Sequence, residues 1–154
     1  MTMLPNWVNQ RHWRYLYRGK QLNTDEWITG CLLIENNGHA QLEPDHCYIV
    51  PLNTNSKYDD YRVDPHTVGQ CTGLLDRSDK LIFEGDIVKG IALQREGGFE
   101  YCGEIVWYDY STSIGWHIKD NVGSWELKQA QARISLNNIT GEIIGNVYDN
   151  PKLM

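Results

Sequence analysis

The sequence lacks a long apolar run, a surplus of basic residues and any closely paired cysteines, and each absence removes a class of function. No stretch of its 154 residues approaches the roughly 18 apolar residues of a membrane span. The opening Met1-Thr2-Met3-Leu4-Pro5-Asn6-Trp7 has no cationic start followed by an apolar core, so it does not read as a secretory signal. A cytoplasmic protein with no membrane contact is the expectation. The four cysteines, at 31, 47, 71 and 102, include no C-x-x-C pair, and reduced, mostly buried thiols are expected. Net charge is −6, with 6 basic and 8 acidic residues in 1–66 and 8 and 12 in 67–154. Neither half carries the cationic excess that neutralises phosphates, which disfavours general nucleic-acid binding. There is no Walker-type glycine loop and no G-x-S-x-G.

Phenylalanine is also scarce: 2 Phe stand against 6 Trp and 9 Tyr. Trp and Tyr carry a polar handle and favour half-wet positions. Such a surplus suits either the cover of a small β core or an aromatic contact surface, and composition leaves both open.

What is present reads as strands. His12 to Tyr17 alternates, with Trp13, Tyr15 and Tyr17 on one side and His12, Arg14 and Leu16 on the other, which predicts a strand that Arg18-Gly19-Lys20 breaks. Asn23-Thr24-Asp25 is a turn cluster, and 26–35 is the next strand, in which Gly30 marks a bulge or a close backbone approach. Asn37-Gly38 predicts a type I′ hairpin that sets Leu33 opposite Leu42. Cys47–Val50 is a short strand closed by Pro51, residues 53–60 are a polar loop, and Tyr61–Asp64 is extended before Pro65.

A boundary is expected at residues 62–68, giving an N-terminal hairpin-rich subdomain (1–66) and a C-terminal one (67–154). The second half predicts strands at 81–93, 101–108, 114–118 and 142–148, a turn at 95–98 and a short helix within 124–134. In the stretch from His66 to Lys89, Gly73 and Gly85 stand where strands meet turns, which predicts positive φ or close approach. Glu84-Gly85-Asp86 reads as a sharp reversal whose carboxylates can accept backbone N–H bonds.

Several short strings, in order, resemble the YopX family of phage and prophage proteins. They are Tyr17-Arg18-Gly19-Lys20, Glu26-Trp27-Ile28-Thr29-Gly30, Val63-Asp64-Pro65, Thr67-Val68-Gly69-Gln70, Thr72-Gly73-Leu74, Glu84-Gly85-Asp86-Ile87-Val88 and Gly145-Asn146-Val147-Tyr148-Asp149-Asn150-Pro151. The resemblance implies a phage or prophage product in a bacterial cytoplasm. It also implies a mostly β fold whose C-terminal part is similar to SH3-type barrels. It brings no catalytic residues. Cys71 stands where the family usually has an aromatic, and Asp79 where it often has glycine. Aspartate tolerates left-handed turns, so that turn can survive.

No convergent reactive set is legible. Glu43, Asp45, His46 and Cys47 are close in sequence, but adjacent strand residues point to opposite faces, so no metal site is expected. Cys71 could meet His66 or His117 only through the fold, and Glu84 with Asp86 could form an acid/base pair. Turn and core roles account for all three residues without chemistry. Residues 11–20 interleave Arg11, Arg14, Arg18 and Lys20 with Trp13, Tyr15 and Tyr17, a pattern that can bind single strands. The expectation is therefore a mostly β, non-enzymatic binding or regulatory protein without cofactor. Its candidate contact residues are Arg14, Tyr15, Arg18, Trp107 and Trp116. The expected partner is a host or phage protein or a second copy, with single-stranded nucleic acid as the alternative.

Overall fold

The computed structural model describes residues 13–35, 46–94, 97–110, 113–120 and 141–154. Among these the protein is mostly β, with two antiparallel sheets, and its longest strands belong to the second. Contacts divide the chain into two compact units, Met1–Gly73 and Leu74–Met154.

In the first unit, β1 (Tyr17–Lys20), β2 (Trp27–Glu35), β3 (His46–Val50), β4 (Arg62–Val63) and β5 (Gly69–Leu75) lie in the order β4-β3-β2-β1-β5. Cys47, Ile49 and Val63 are its buried centre, with Tyr17, Ile28, Leu32 and Val68 packed around them. A short 3-10 turn, η1 (Tyr58–Tyr61), precedes β4, and a second, η2 (Pro65–Thr67), follows it. Asp64 caps η2 by accepting the His66 N–H at 3.0 Å. Thr67 then ties η2 to β1: its hydroxyl donates to the Asp64 carbonyl at 2.8 Å and accepts the Lys20 N–H at 2.9 Å.

One sequence expectation fails in this unit. Residues 13–16 are not a strand: Trp13 starts a helical turn in which the Leu16 N–H donates to the Trp13 carbonyl. The strand begins at Tyr17 and runs through Arg18-Gly19-Lys20, the residues expected to break it. Gly19 belongs there because an added Cβ would stand 3.0 Å from Ile49 and 3.2 Å from Val63 in the core. Leu33 lies opposite Tyr48 in the β2–β3 pair, and Leu42, expected opposite it, lies outside the described residues. The Asn37-Gly38 turn itself lies outside the described residues, as do the helix expected within 124–134 and residues 95–96 of the expected turn. Gly97 and Gly98 of that turn begin a strand instead.

The second unit holds β6 (Leu81–Phe83), which makes a hairpin with the end of β5, then β7 (Asp86–Gln94), β8 (Gly97–Tyr110), β9 (Ser113–Asp120), β10 (Glu142–Asn146) and a last 3-10 turn, η3 (Pro151–Leu153). The four longer strands are ordered β10-β7-β8-β9. That order is open among the described residues, and closure into the expected SH3-like barrel is not among the strand pairings. Ile82, Val88, Tyr101, Ile105 and Ile118 form the core, with Leu74, Trp116 and Ile143 against it. Burying each such aliphatic side chain is worth about 2 kcal/mol over leaving it exposed.

Positive φ appears where turns were expected: 79° at Gly73, 81° at Gly85 and 61° at Asp79. Gly85 is clamped as well, its N–H donating to the Ile105 carbonyl at 2.8 Å and its carbonyl accepting from Val147 at 2.9 Å.

Candidate functional site

Residues directly opposite in an antiparallel pair share a face. In β8 and β9 these pairs are Ile105 with Ile118, Trp107 with Trp116, and Asp109 with Ile114. The first pair is fully buried in the core. One step along, the cover runs out. Trp116 is half-buried and packs on the core, while Trp107 is 50% exposed. A further step gives Ile114 at 69% exposure and an exposed Asp109. The core face of this sheet thus continues through the tryptophan pair onto an exposed end that carries Ile114 and the Asp109 carboxylate.

The two indole rings meet edge to face, with centroids 5.0 Å apart and planes at 75°. Such aromatic pairs contribute about 1 kcal/mol beyond area burial, so the outer tryptophan is held in a defined orientation rather than trailing in solvent. On the opposite sheet face, Tyr108 and the buried His117 make a similar contact at 5.1 Å.

Arg14, Tyr15 and Arg18 belong to the first unit. The Arg14 guanidinium sits 5.2 Å from the Tyr15 ring centre and donates to its hydroxyl at 3.3 Å. Arg18 lies 4.8 Å over Trp27, with Lys20 5.9 Å from the same ring and paired to Asp25 at 3.2 Å. The aromatics of residues 11–20 are split. Tyr17 is packed against the core, Trp13 is half-buried, and Tyr15 is 61% exposed. A stacking platform needs successive open rings, and one open ring is what the described part of this segment offers. The five candidate contact residues therefore form two groups, each within its own unit.

The remaining candidates are placed as follows. Asp86 is 1% exposed and accepts the Phe83 N–H at 2.8 Å across the turn that Gly85 makes. Glu84 is half-buried on that turn. Cys71 is fully buried, its sulfur accepting the Gly73 N–H at 3.4 Å, whereas His66 is exposed on η2. All four cysteines are free thiols, Cys31 exposed and Cys47 buried. Burial pushes the Cys47 thiol above its usual value, which keeps it protonated and unreactive. His46 and Cys47 face opposite ways, His46 Nδ1 accepting from the Arg62 guanidinium at 3.0 Å. Among the described residues no three His, Cys, Asp or Glu side chains gather as metal ligands, and no helix is long and apolar enough to cross a membrane. Glu43 and Asp45 lie outside them.

Ile114 and Asp109, beside the tryptophan pair, and Trp27, under Arg18, were not among the residues expected at these places. The first two become visible only with the β8–β9 register, which sequence alternation alone does not supply. A family model described as YopX protein matches residues 16–154. No curated protein matches the chain.

Proposed function

The chain belongs to the YopX family, and from that premise we propose that it is a phage- or prophage-encoded, non-enzymatic binding module that docks a protein through the Trp107–Trp116 end of β8 and β9. One observation carries this reading: an oriented tryptophan pair continues the core face of a sheet into solvent, with Ile114 beside it. Exposed, ordered aromatics of this kind are the usual anchors of protein interfaces. The fully buried placement of Cys71 and Asp86 supports structural roles for those residues. Single-strand binding through residues 11–20 is the weaker alternative, since Tyr17 is used in packing and net charge is −6.

Affinity-tagged full chain, cross-linked in host cells, tests the proposal. Wild type and an Arg14→Ala/Arg18→Ala variant are expected to recover the same protein, and Trp107→Ala to recover at least tenfold less. Equal recovery by Trp107→Ala would overturn the docking surface. Recovery of the chain alone would make its occupant a second copy. Micromolar single-stranded DNA binding at physiological salt, abolished in the double arginine variant, would replace the reading with the alternative.

A further inference from the structure

The chemistry of the docked group can be narrowed, on the basis of the docking reading above. Two residues along a strand span about 7 Å on one face. Asp109 is thus on the face of Trp107, one step farther from the core, and exposed. Its carboxylate has no partner among the described residues. Trp107 and Trp116 meet at 75°, which makes an angled aromatic wall rather than a flat one. An indole face attracts a cation within about 6 Å through its quadrupole, and a carboxylate at the end of the wall adds a full negative charge. Such a surface complements a basic group and repels an acidic one.

We infer that this end of β8 and β9 binds an arginine side chain of a protein partner, the guanidinium stacked on Trp107 and forked onto Asp109. Arginine fits better than lysine because a planar guanidinium can stack on a ring and donate two parallel N–H bonds to a carboxylate at once. Ile114, opposite Asp109, offers an apolar bed for the methylene stem.

The test follows the indole N–H signals of Trp107 and Trp116 in the labelled full chain during titration with Ac-Gly-Arg-Gly-Arg-Gly-amide, its lysine counterpart and its citrulline counterpart. Citrulline keeps the shape of arginine and removes the charge. Both signals are expected to shift saturably with the arginine peptide, at least threefold more weakly with lysine, and not with citrulline. Asp109→Asn should weaken the arginine peptide at least fivefold while leaving the starting spectrum unchanged, and Trp107→Ala should abolish the response. Equal binding of citrulline and arginine, or undiminished binding by Asp109→Asn, overturns the inference. If that happens while Trp107→Ala still loses the cross-linked protein, docking stands and only the arginine assignment falls. If Trp107→Ala keeps that protein, docking itself falls.

Discussion

Asp76 shows how one carboxylate organises a turn. It is 6% exposed and accepts three backbone N–H groups: Ser78 at 2.8 Å and Lys80 at 2.9 Å on one oxygen, and Ile143 at 3.1 Å on the other. It thereby links the β5–β6 hairpin to β10. Burial works against its charge, but the donors from Ile143, Lys80 and Ser78 outweigh burial and hold the carboxyl below its ordinary value of 3.8. The folded pKa is depressed, so this stabilisation is present above the ordinary value and is lost as pH falls through the lower folded one. Asp76→Ala leaves three donors unsatisfied and should cost on the order of 3 kcal/mol at neutral pH in urea unfolding. The loss of stability on acidification should also be shallower in the variant than in wild type.

Tyr101 is the opposite case. Its ring is 3% exposed, lies over Gly90 across the β7–β8 pair, and its hydroxyl has no hydrogen-bond partner among the described residues. Burial pushes its ionisation up from 10.0 to about 12. Stability tied to the neutral phenol is complete below pH 10 and fades as pH rises toward 12. Tyr101→Phe removes a buried, unsatisfied hydroxyl and should stabilise the protein by about 1 kcal/mol, read from the urea midpoint. The variant should also unfold less steeply between those two pH values. Equal or lower stability of Tyr101→Phe would mean that the hydroxyl is satisfied.

At the scale of elements, several short strings of the sequence resolve into joints. The Gly145 to Pro151 string is one such joint. The Asn146 side-chain oxygen accepts the N–H groups of Tyr148 and Asp149, and the Asn150 N–H donates to the Asn146 carbonyl, which ends β10 in a closed turn. Tyr148 then covers Gly85, where an added Cβ would stand 3.1 Å from its ring. Gly85→Ala faces that contact and a φ of 81°, and should lose about 2 kcal/mol. Gly30→Ala should lose about 3 kcal/mol for a different reason: the new Cβ would overlap the Val50 carbonyl across the β2–β3 pair. Both losses are measurable as shifts in urea midpoint, and a Gly30→Ala variant as stable as wild type would show that β2 and β3 can separate freely.

These joints were legible beforehand where the residue type itself demands a backbone state. Gly73 and Gly85, with Asp79 as a tolerated left-handed residue, were found that way, and so were the strands at β2, β8 and β9. The segment from Trp13 to Lys20 was misread because alternation is counted along the chain, whereas the strand is chosen by its neighbours. The Leu16 carbonyl accepts the Cys71 N–H and the Arg14 carbonyl accepts the Gln70 side chain, so residues 13–16 turn while 17–20 pair.

On the scale of the whole molecule, thiol accessibility separates the cysteines by burial. A thiol reagent should modify Cys31 first under native conditions, and Cys47 and Cys71 only on unfolding. Rapid labelling of Cys71 in the folded protein would show that β5 opens locally. Trp107→Ala should change stability by less than about 1 kcal/mol, because half of that ring is already in water. The same substitution should weaken docking at least tenfold, which separates a contact residue from a core one.

Composition and local pattern by themselves determined a mostly β protein, because glycine, proline and aspartate constrain the backbone wherever they stand and β-branched runs favour pleated structure, and the order of short strings carried the resemblance to the YopX family. The same information could not say whether the tryptophan surplus is core or contact. For Trp107 and Trp116, tertiary structure decided the burial, through a register that seats Trp116 against the core and carries Trp107, Asp109 and Ile114 past the last buried pair. Burial depends on what lies opposite and above a residue, and only the folded chain sets those neighbours.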